Sequence, residues 1–75
     1  MADHKLDASG LKCPMPIIKV AKAVKNIALG ETMEITATDP VFIPDLEAWC
    51  RKTKQTLISH SNTGEIFVAV IEKSA

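Results

Sequence analysis

The segment Gly10-Leu11-Lys12-Cys13-Pro14-Met15-Pro16 constrains the fold more than any other part of the sequence. Its cysteine lies between a short strand pattern and an amphipathic helix pattern, and proline is favoured at the first position of a helix. We therefore predict that Cys13 occupies roughly the N-cap, that Pro14 takes the first helical position and that Pro16 lies in the first turn. Because a residue before proline avoids the α region, the regular helix is expected to begin nearer Ile17.

The predicted position of Cys13 indicates a reactive thiol. A helix N-terminus carries partial positive charge and favours an anion beside it, and Lys12 adds a neighbouring cation. Both effects lower the pKa of a thiol and increase its thiolate fraction at neutral pH. The alternative is a cysteine that only packs or caps, although cysteine is a poorer cap than Ser, Thr, Asp or Asn.

Hydrophobic periodicity predicts four strands and two helices. The predicted strands cover residues 5–8, 31–38, 55–61 and 65–73, and the predicted helices run from Cys13 to near Gly30 and from Pro44 to about Thr53. Residues 62–64 are a three-residue hairpin signal. The last strand is apolar on both faces, which is typical of a strand inside a sheet.

The resulting order is β-α-β-α-β-β. Because parallel β-α-β crossovers are right-handed, both helices are expected on one face of the sheet. The predicted fold is a two-layer α/β sandwich, with a mixed four-stranded sheet and two helices on one face. A chain of 75 residues is expected to form a single domain, residues 1–75.

Composition argues against two classes of function. The formal net charge is zero, whereas proteins that bind nucleic acid through phosphates need clustered Lys and Arg. No run of about 18 apolar residues is present, so no membrane span is expected. The first residues lack the apolar core of a signal peptide, and we expect a cytoplasmic monomer.

Two cysteines and two histidines are the other candidate site residues. Cys50 falls on the inner face of the second predicted helix and is expected to be a buried structural thiol. The sequence does not decide whether Cys13 and Cys50 meet the geometry of a disulfide. The residues Cys13, Cys50, His4 and His60 show none of the usual zinc spacings, so no metal site is predicted.

Charged residues near the predicted site have two readings. Asp39 ends a strand and Asp45 lies in the first turn of a helix, where carboxylates are favoured without any function. A supporting role beside Cys13 is also open, because the carboxyl ends of parallel strands bring helix starts together. Lys19 and Lys22 lie either on a solvated helix face or on a docking surface for an acidic partner.

The sequence resembles the TusA/SirA family of small sulfur-carrier proteins. Two segments carry the resemblance, which covers nearly the whole chain. The first is Leu6-Asp7-Ala8-x-Gly10-Leu11-x-Cys13-Pro14-x-Pro16, and the second comprises Thr38-Asp39-Pro40, Asp45 and Trp49-Cys50. Cys-Pro-x-Pro alone is a weak pattern, but its combination with the preceding residues and the later Asp-Pro is specific.

The resemblance implies a sulfur carrier that holds a persulfide on Cys13. A cysteine desulfurase or a rhodanese would donate the sulfur, and an acceptor sulfurtransferase would receive it, without a metal or an organic cofactor. The destinations in such a family are tRNA thiolation, molybdenum-cofactor assembly and dissimilatory sulfur metabolism. The alternatives are a redox-responsive regulatory or interaction module and a selenium-handling relative.

Overall fold

The four strands and two helices occur in the predicted order. The computed structural model describes residues 2–75. The elements are β1 (His4–Ala8), α1 (Met15–Val24), β2 (Thr32–Ala37), α2 (Phe42–Thr53), β3 (Thr56–Thr63) and β4 (Ile66–Glu72). The strand order in the sheet is β1-β2-β4-β3, with β1 parallel to β2 and β4 antiparallel to both of its neighbours. The mixed four-stranded sheet is therefore confirmed.

One face of the sheet is covered and holds the core. Side chains alternate along β2, where Met33, Ile35 and Ala37 are buried and the residues between them are half-buried. The helices and the loop after α1 add the buried side chains of Val20, Val24, Ile27, Phe42, Leu46 and Cys50. The two helices therefore pack on the same face, as predicted.

The last strand lies inside the sheet, as its apolar character predicts. Ala69 is aligned with Ile35 of β2 on one side and with His60 of β3 on the other. Ala69 and Ile71 are fully buried on the covered face.

The predicted bounds of α1 are wrong at both ends. The helix begins at Met15 rather than near Ile17, and it ends at Val24 rather than near Gly30. The N–H groups of Asn26 and Ile27 donate to the carbonyls three residues earlier, which tightens the chain and ends the α-helix. Gly30 instead donates to the carbonyl of Lys73 at 2.8 Å and so joins the end of this loop to the residue after β4.

The start of α2 and the hairpin also differ from the prediction. The helix begins at Phe42, and Pro44 is its third residue, where a missing N–H leaves no helical bond broken. The strands β3 and β4 pair up to Thr63 and Ile66. The turn is therefore two residues long, with Gly64 in the left-handed region at φ +60°.

Within residues 2–75, neither helix combines the length and apolar character that a membrane crossing requires.

Candidate functional site

The loop between β1 and α1 carries Cys13 and is fixed by hydrogen bonds at its start. Gly10 has φ +80°, a conformation that glycine adopts without strain. Its N–H donates to Oγ1 of Thr38 at 2.9 Å, just beyond the end of β2. The N–H of Leu11 donates to the carbonyl of Ala8 at 3.3 Å. These bonds hold the loop against the carboxyl ends of the two parallel strands.

Cys13 lies one residue farther from the helix than predicted. The N-cap of α1 is Pro14, Met15 is the first helical residue and Pro16 is the buried second one. The Cys13–Pro14 peptide bond is cis. The N–H of Met15 donates to the carbonyl of Lys12 at 2.8 Å, so it is occupied by the backbone rather than directed to the sulfur. The prediction that Cys13 is the N-cap and Pro14 the first helical residue is therefore wrong.

Asp39 connects the loop of Cys13 to the start of α2. Asp39 as a whole residue is only 8% exposed. Oδ2 accepts a hydrogen bond from the N–H of Cys13 at 2.7 Å, and Oδ1 accepts one from the N–H of Val41 at 3.3 Å. The carbonyl of Asp39 accepts from the N–H of Phe42 at 3.0 Å. One residue at the end of β2 thus positions both helix starts.

Asp45 brings a second carboxylate to the thiol. It lies in the first turn of α2. The sulfur of Cys13 and one carboxylate oxygen each from Asp39 and Asp45 all lie within 4.8 Å of one another. The structure therefore places both of these aspartates beside Cys13, as the second of the two interpretations from the sequence requires.

The surroundings of Cys13 raise its pKa, opposite to the prediction. The main cause is a hydrogen bond between the thiol and the Asp45 carboxylate, which stabilises the protonated form. Desolvation and the negative charges of Asp45 and Asp39 act in the same direction. The prediction assumed that the helix N-terminus dominates. The terminal N–H of Met15 is engaged elsewhere, and the nearest charges belong to carboxylates.

Cys13 is exposed at the edge of a shallow depression of about 450 Å³. The depression is lined by Gly10, Leu11, Lys12, Cys13, Thr38, Asp39 and Pro40. Lys12 thus lines the same depression as Cys13. Because Cys13 is exposed there, a partner can approach it from solvent.

The remaining candidate residues are dispersed. Cys50 is 4% exposed, which confirms a buried thiol, and burial raises its pKa to about 11. His4 contacts Glu31 at 3.1 Å and His60 is exposed on β3. Among the described residues, the grouping that could hold a metal ion is Cys13 with the two aspartates, and both oxygens of Asp39 already accept backbone hydrogen bonds.

The two lysines of α1 differ in their contacts. The ammonium group of Lys19 donates a hydrogen bond to the carbonyl of Asp7. Lys22 is exposed, and no hydrogen bond from its ammonium group is found within residues 2–75. Lys22 is therefore the lysine whose charge is fully directed to solvent.

The exposure of three large apolar side chains near the helix starts was not predicted from the sequence. Met15, Ile18 and Val41 are exposed large apolar side chains at the starts of the two helices. Ile18 falls off the buried spacing of α1 and Val41 precedes α2. Their position off the core spacing of the helices is the sequence signal that predicts exposure.

Comparison with known proteins identifies the family of this chain. The sequence pattern of the family described as Sulfurtransferase TusA matches residues 4–73. The chain is 36% identical over 72 residues to the sulfur carrier protein TusA of Allochromatium vinosum, which covers 96% of this chain and 95% of that protein. It is 44% identical over 68 residues to a candidate sulfur carrier protein, YrkF, of Bacillus subtilis. That match covers 91% of this chain but only 37% of the longer Bacillus protein.

A solved structure has the same fold. It is that of a SirA-like protein from Desulfitobacterium hafniense, with a TM-score of 0.81 over 96% of this chain and 99% of that one. The sequence identity is 16%, so this likeness concerns the fold alone. The family pattern spans nearly all of the chain, from His4 to Lys73, and the cysteine segment lies within it. The chain belongs to the TusA family.

Proposed function

We propose that this protein is a sulfur carrier that holds a persulfide on Cys13 and passes the outer sulfur from a donor protein to an acceptor protein. The observation that carries the proposal is the exposed thiol of Cys13, held at the shared edge of two parallel strands by the carboxylate of Asp39. Family membership and the names of the two relatives support the same role.

Loading needs a nucleophilic sulfur. The thiolate of Cys13 attacks the outer sulfur of a persulfide on the donor, and a new S–S bond forms on Cys13. The S–S bond of the donor breaks, and its electron pair leaves with the donor cysteine as a thiolate. The two proteins exchange one sulfur atom without net oxidation, so the step needs no cofactor.

Unloading is the reverse reaction with a different partner. A nucleophile of the acceptor attacks the outer sulfur of the Cys13 persulfide, and Cys13 leaves as a thiolate. The raised pKa of Cys13 has two opposite effects here. It reduces the thiolate fraction, but each thiolate is a stronger nucleophile and a poorer leaving group. These properties favour retention of sulfur on the free carrier.

The neighbouring residues position this chemistry. Asp39 holds the backbone of Cys13, and Pro16 packs into the core behind the loop. Pro14 caps the helix next to the sulfur, and Lys12 lines the depression through which a partner reaches it. We assign these residues to positioning and not to bond making.

Intact-mass spectrometry after incubation with a purified cysteine desulfurase and L-cysteine tests the carrier role. The wild-type chain is expected to gain sulfur, and peptide mapping should locate it on Cys13. Cys13→Ser removes the nucleophile and should abolish the gain, whereas Cys50→Ala should retain it. Sulfur gain by a folded Cys13→Ser protein would contradict the proposal. So would a wild-type protein that gains no sulfur either from the cysteine desulfurase or from a rhodanese with thiosulfate.

The redox-sensor alternative is less well supported. Cysteine sensors combine an accessible low-pKa thiol with a nearby resolving cysteine. The pKa of Cys13 is raised, and Cys50 is buried in the core as a free thiol.

We propose cysteine desulfurases and rhodaneses as donors and sulfurtransferases as acceptors, with tRNA thiolation, cofactor assembly and dissimilatory sulfur metabolism as candidate destinations.

A further inference from the structure

The surroundings of the Cys13 sulfur are acidic from two sides. Asp39 approaches from the end of β2 and Asp45 from the first turn of α2. One carboxylate oxygen of each aspartate and the sulfur lie within 4.8 Å of one another. Since Cys13 is exposed and the two aspartates flank it, any group that reacts with the sulfur also approaches two carboxylates.

The lysines of this part of the chain are not among the charges that shift the pKa of Cys13. Lys12 comes from the loop and lines the depression, with an exposed side chain. Lys19, on α1, contacts the carbonyl of Asp7. The charges that act on the thiol are those of Asp45 and Asp39, and both disfavour a negative charge on sulfur. A positive charge on a partner, close to the sulfur, therefore complements the two carboxylates.

We infer that Asp39 and Asp45 determine which partners react at Cys13 and favour those that present a positive charge next to their reacting sulfur. The inference rests on the proposed carrier function and names the chemistry of its partners. A cation near the sulfur, attracted by the carboxylates, stabilises the Cys13 thiolate as it forms, whereas an anionic partner is repelled. The fitting donor or acceptor is thus a protein whose reactive cysteine is flanked by arginine or lysine.

Small disulfides of different charge test this selectivity without a partner protein. The Cys13 thiolate attacks one sulfur of the disulfide, and a mixed disulfide forms. The original S–S bond breaks, and its electron pair leaves with the second sulfur, which takes up a proton. Cystamine carries two ammonium groups, 2-hydroxyethyl disulfide is neutral and 3,3′-dithiodipropionate carries two carboxylates. Neutral 2-mercaptoethanol serves as the reference thiol, because the three leaving groups differ in acidity.

The measured quantity is the rate ratio of cystamine to 3,3′-dithiodipropionate at Cys13, divided by the same ratio for 2-mercaptoethanol. At low salt we expect this normalised ratio to be about tenfold. It should approach one in 1 M salt, where charges are screened beyond about 3 Å. Asp45→Asn should lower the low-salt ratio by roughly threefold, because one of the two carboxylates is neutralised.

Glu47→Gln is the matched control, since it neutralises a carboxylate on the same helix. Glu47 lines a separate depression with Cys50 and Arg51, so the normalised ratio should stay as in wild type. A ratio of one for wild type at low salt overturns the inference. A ratio that is equally high in Asp45→Asn overturns it as well.

The same proteins are also incubated with a purified cysteine desulfurase and L-cysteine and, separately, with a rhodanese and thiosulfate, and sulfur on Cys13 is located by peptide mapping. Sulfur gain without charge preference refutes only the inference about partners. Charge preference without sulfur gain supports the inference about charge and contradicts the carrier function on which its biological meaning rests.

Discussion

The backbone N–H of Cys13 donates a 2.7 Å hydrogen bond to the carboxylate of Asp39, 26 residues later in the sequence. Hydrogen bonds to an ionised acceptor are shorter and stronger than those between neutral groups. The position of the thiol is therefore set by the end of β2 as well as by the helix that follows it. This carboxylate follows β2 and accepts hydrogen bonds from the loop of Cys13 and from Val41 at the start of α2.

Asp39→Ala should destabilise the fold and displace the loop of Cys13. The change leaves the N–H groups of Cys13 and Val41 without their acceptor in a largely buried site. We expect the free energy of unfolding to fall by about 2–3 kcal/mol, measured in urea. Glu65→Gln, in the exposed turn between β3 and β4, is the control and should change it by less than about 0.5 kcal/mol. Equal stability of Asp39→Ala and wild type would show that the bond contributes nothing.

The Cys13 thiol should titrate above an ordinary cysteine. Hydrogen bonding to Asp45 and the two negative charges raise its pKa, so the thiolate fraction at neutral pH is low. Alkylation by iodoacetamide, followed at the Cys13 peptide, should have a higher pH midpoint than in the urea-unfolded chain. Asp45→Asn removes the first cause and should lower the midpoint, which speeds alkylation at pH 7.5. A midpoint below that of the unfolded chain would contradict this and restore the helix-terminus argument.

The order of elements could be predicted because burial leaves a periodic trace in the sequence. The alternation of Met33, Ile35 and Ala37 identified β2, and the continuous apolar run of β4 identified an interior strand. The ends of elements left weaker traces. The early end of α1 and the two-residue turn at Gly64 depend on backbone bonds that no local pattern encodes.

The candidate site shows the same division. The cysteine segment located the exposed thiol and the depression beside it, because its residue types are unusual at a strand–helix junction. The direction of the Cys13 pKa shift could not be predicted. It depends on Asp39 and Asp45, which come close to the sulfur only through the parallel pairing of β1 with β2 and the start of α2.

Cys50 should be structural and dispensable for sulfur loading. It lies in the core on α2, and burial raises its pKa to about 11. Cys50→Ala removes buried volume and should lower the free energy of unfolding by about 1–2 kcal/mol while loading persists. Since the folded pKa exceeds the unfolded one, the protonated thiol contributes stability below about pH 9, which is lost towards about pH 11. The difference in stability between wild type and Cys50→Ala should therefore shrink over that range, as urea titrations can measure.

The exposed lysines of α1 should contribute to docking at the sides of the site. Lys22→Glu reverses a solvent-directed charge, whereas Lys19→Glu also removes the contact with Asp7. If the donor surface is acidic there, sulfur transfer at low salt should slow by roughly fivefold, and the effect should shrink at high salt. The transfer reaction is quenched at successive times, and mass spectrometry of the carrier measures these rates. Lys52→Glu, near the other end of α2, is the control, and an equal loss in this variant would show that net charge alone matters.

Lys54 ends α2 in the left-handed conformation, at φ +64°, and this strain should be removable. A residue with a side chain is unfavourable there by about 1–2 kcal/mol, whereas glycine adopts the conformation freely. Lys54→Gly should raise the free energy of unfolding by about 0.5–1 kcal/mol, because the greater freedom of glycine in the unfolded chain offsets part of the gain. Lys52→Gly places the same substitution inside the last turn and should cost about 1 kcal/mol. Both are measured by urea unfolding at one pH. A loss of stability in Lys54→Gly would mean that the Lys54 side chain itself stabilises the end of the helix.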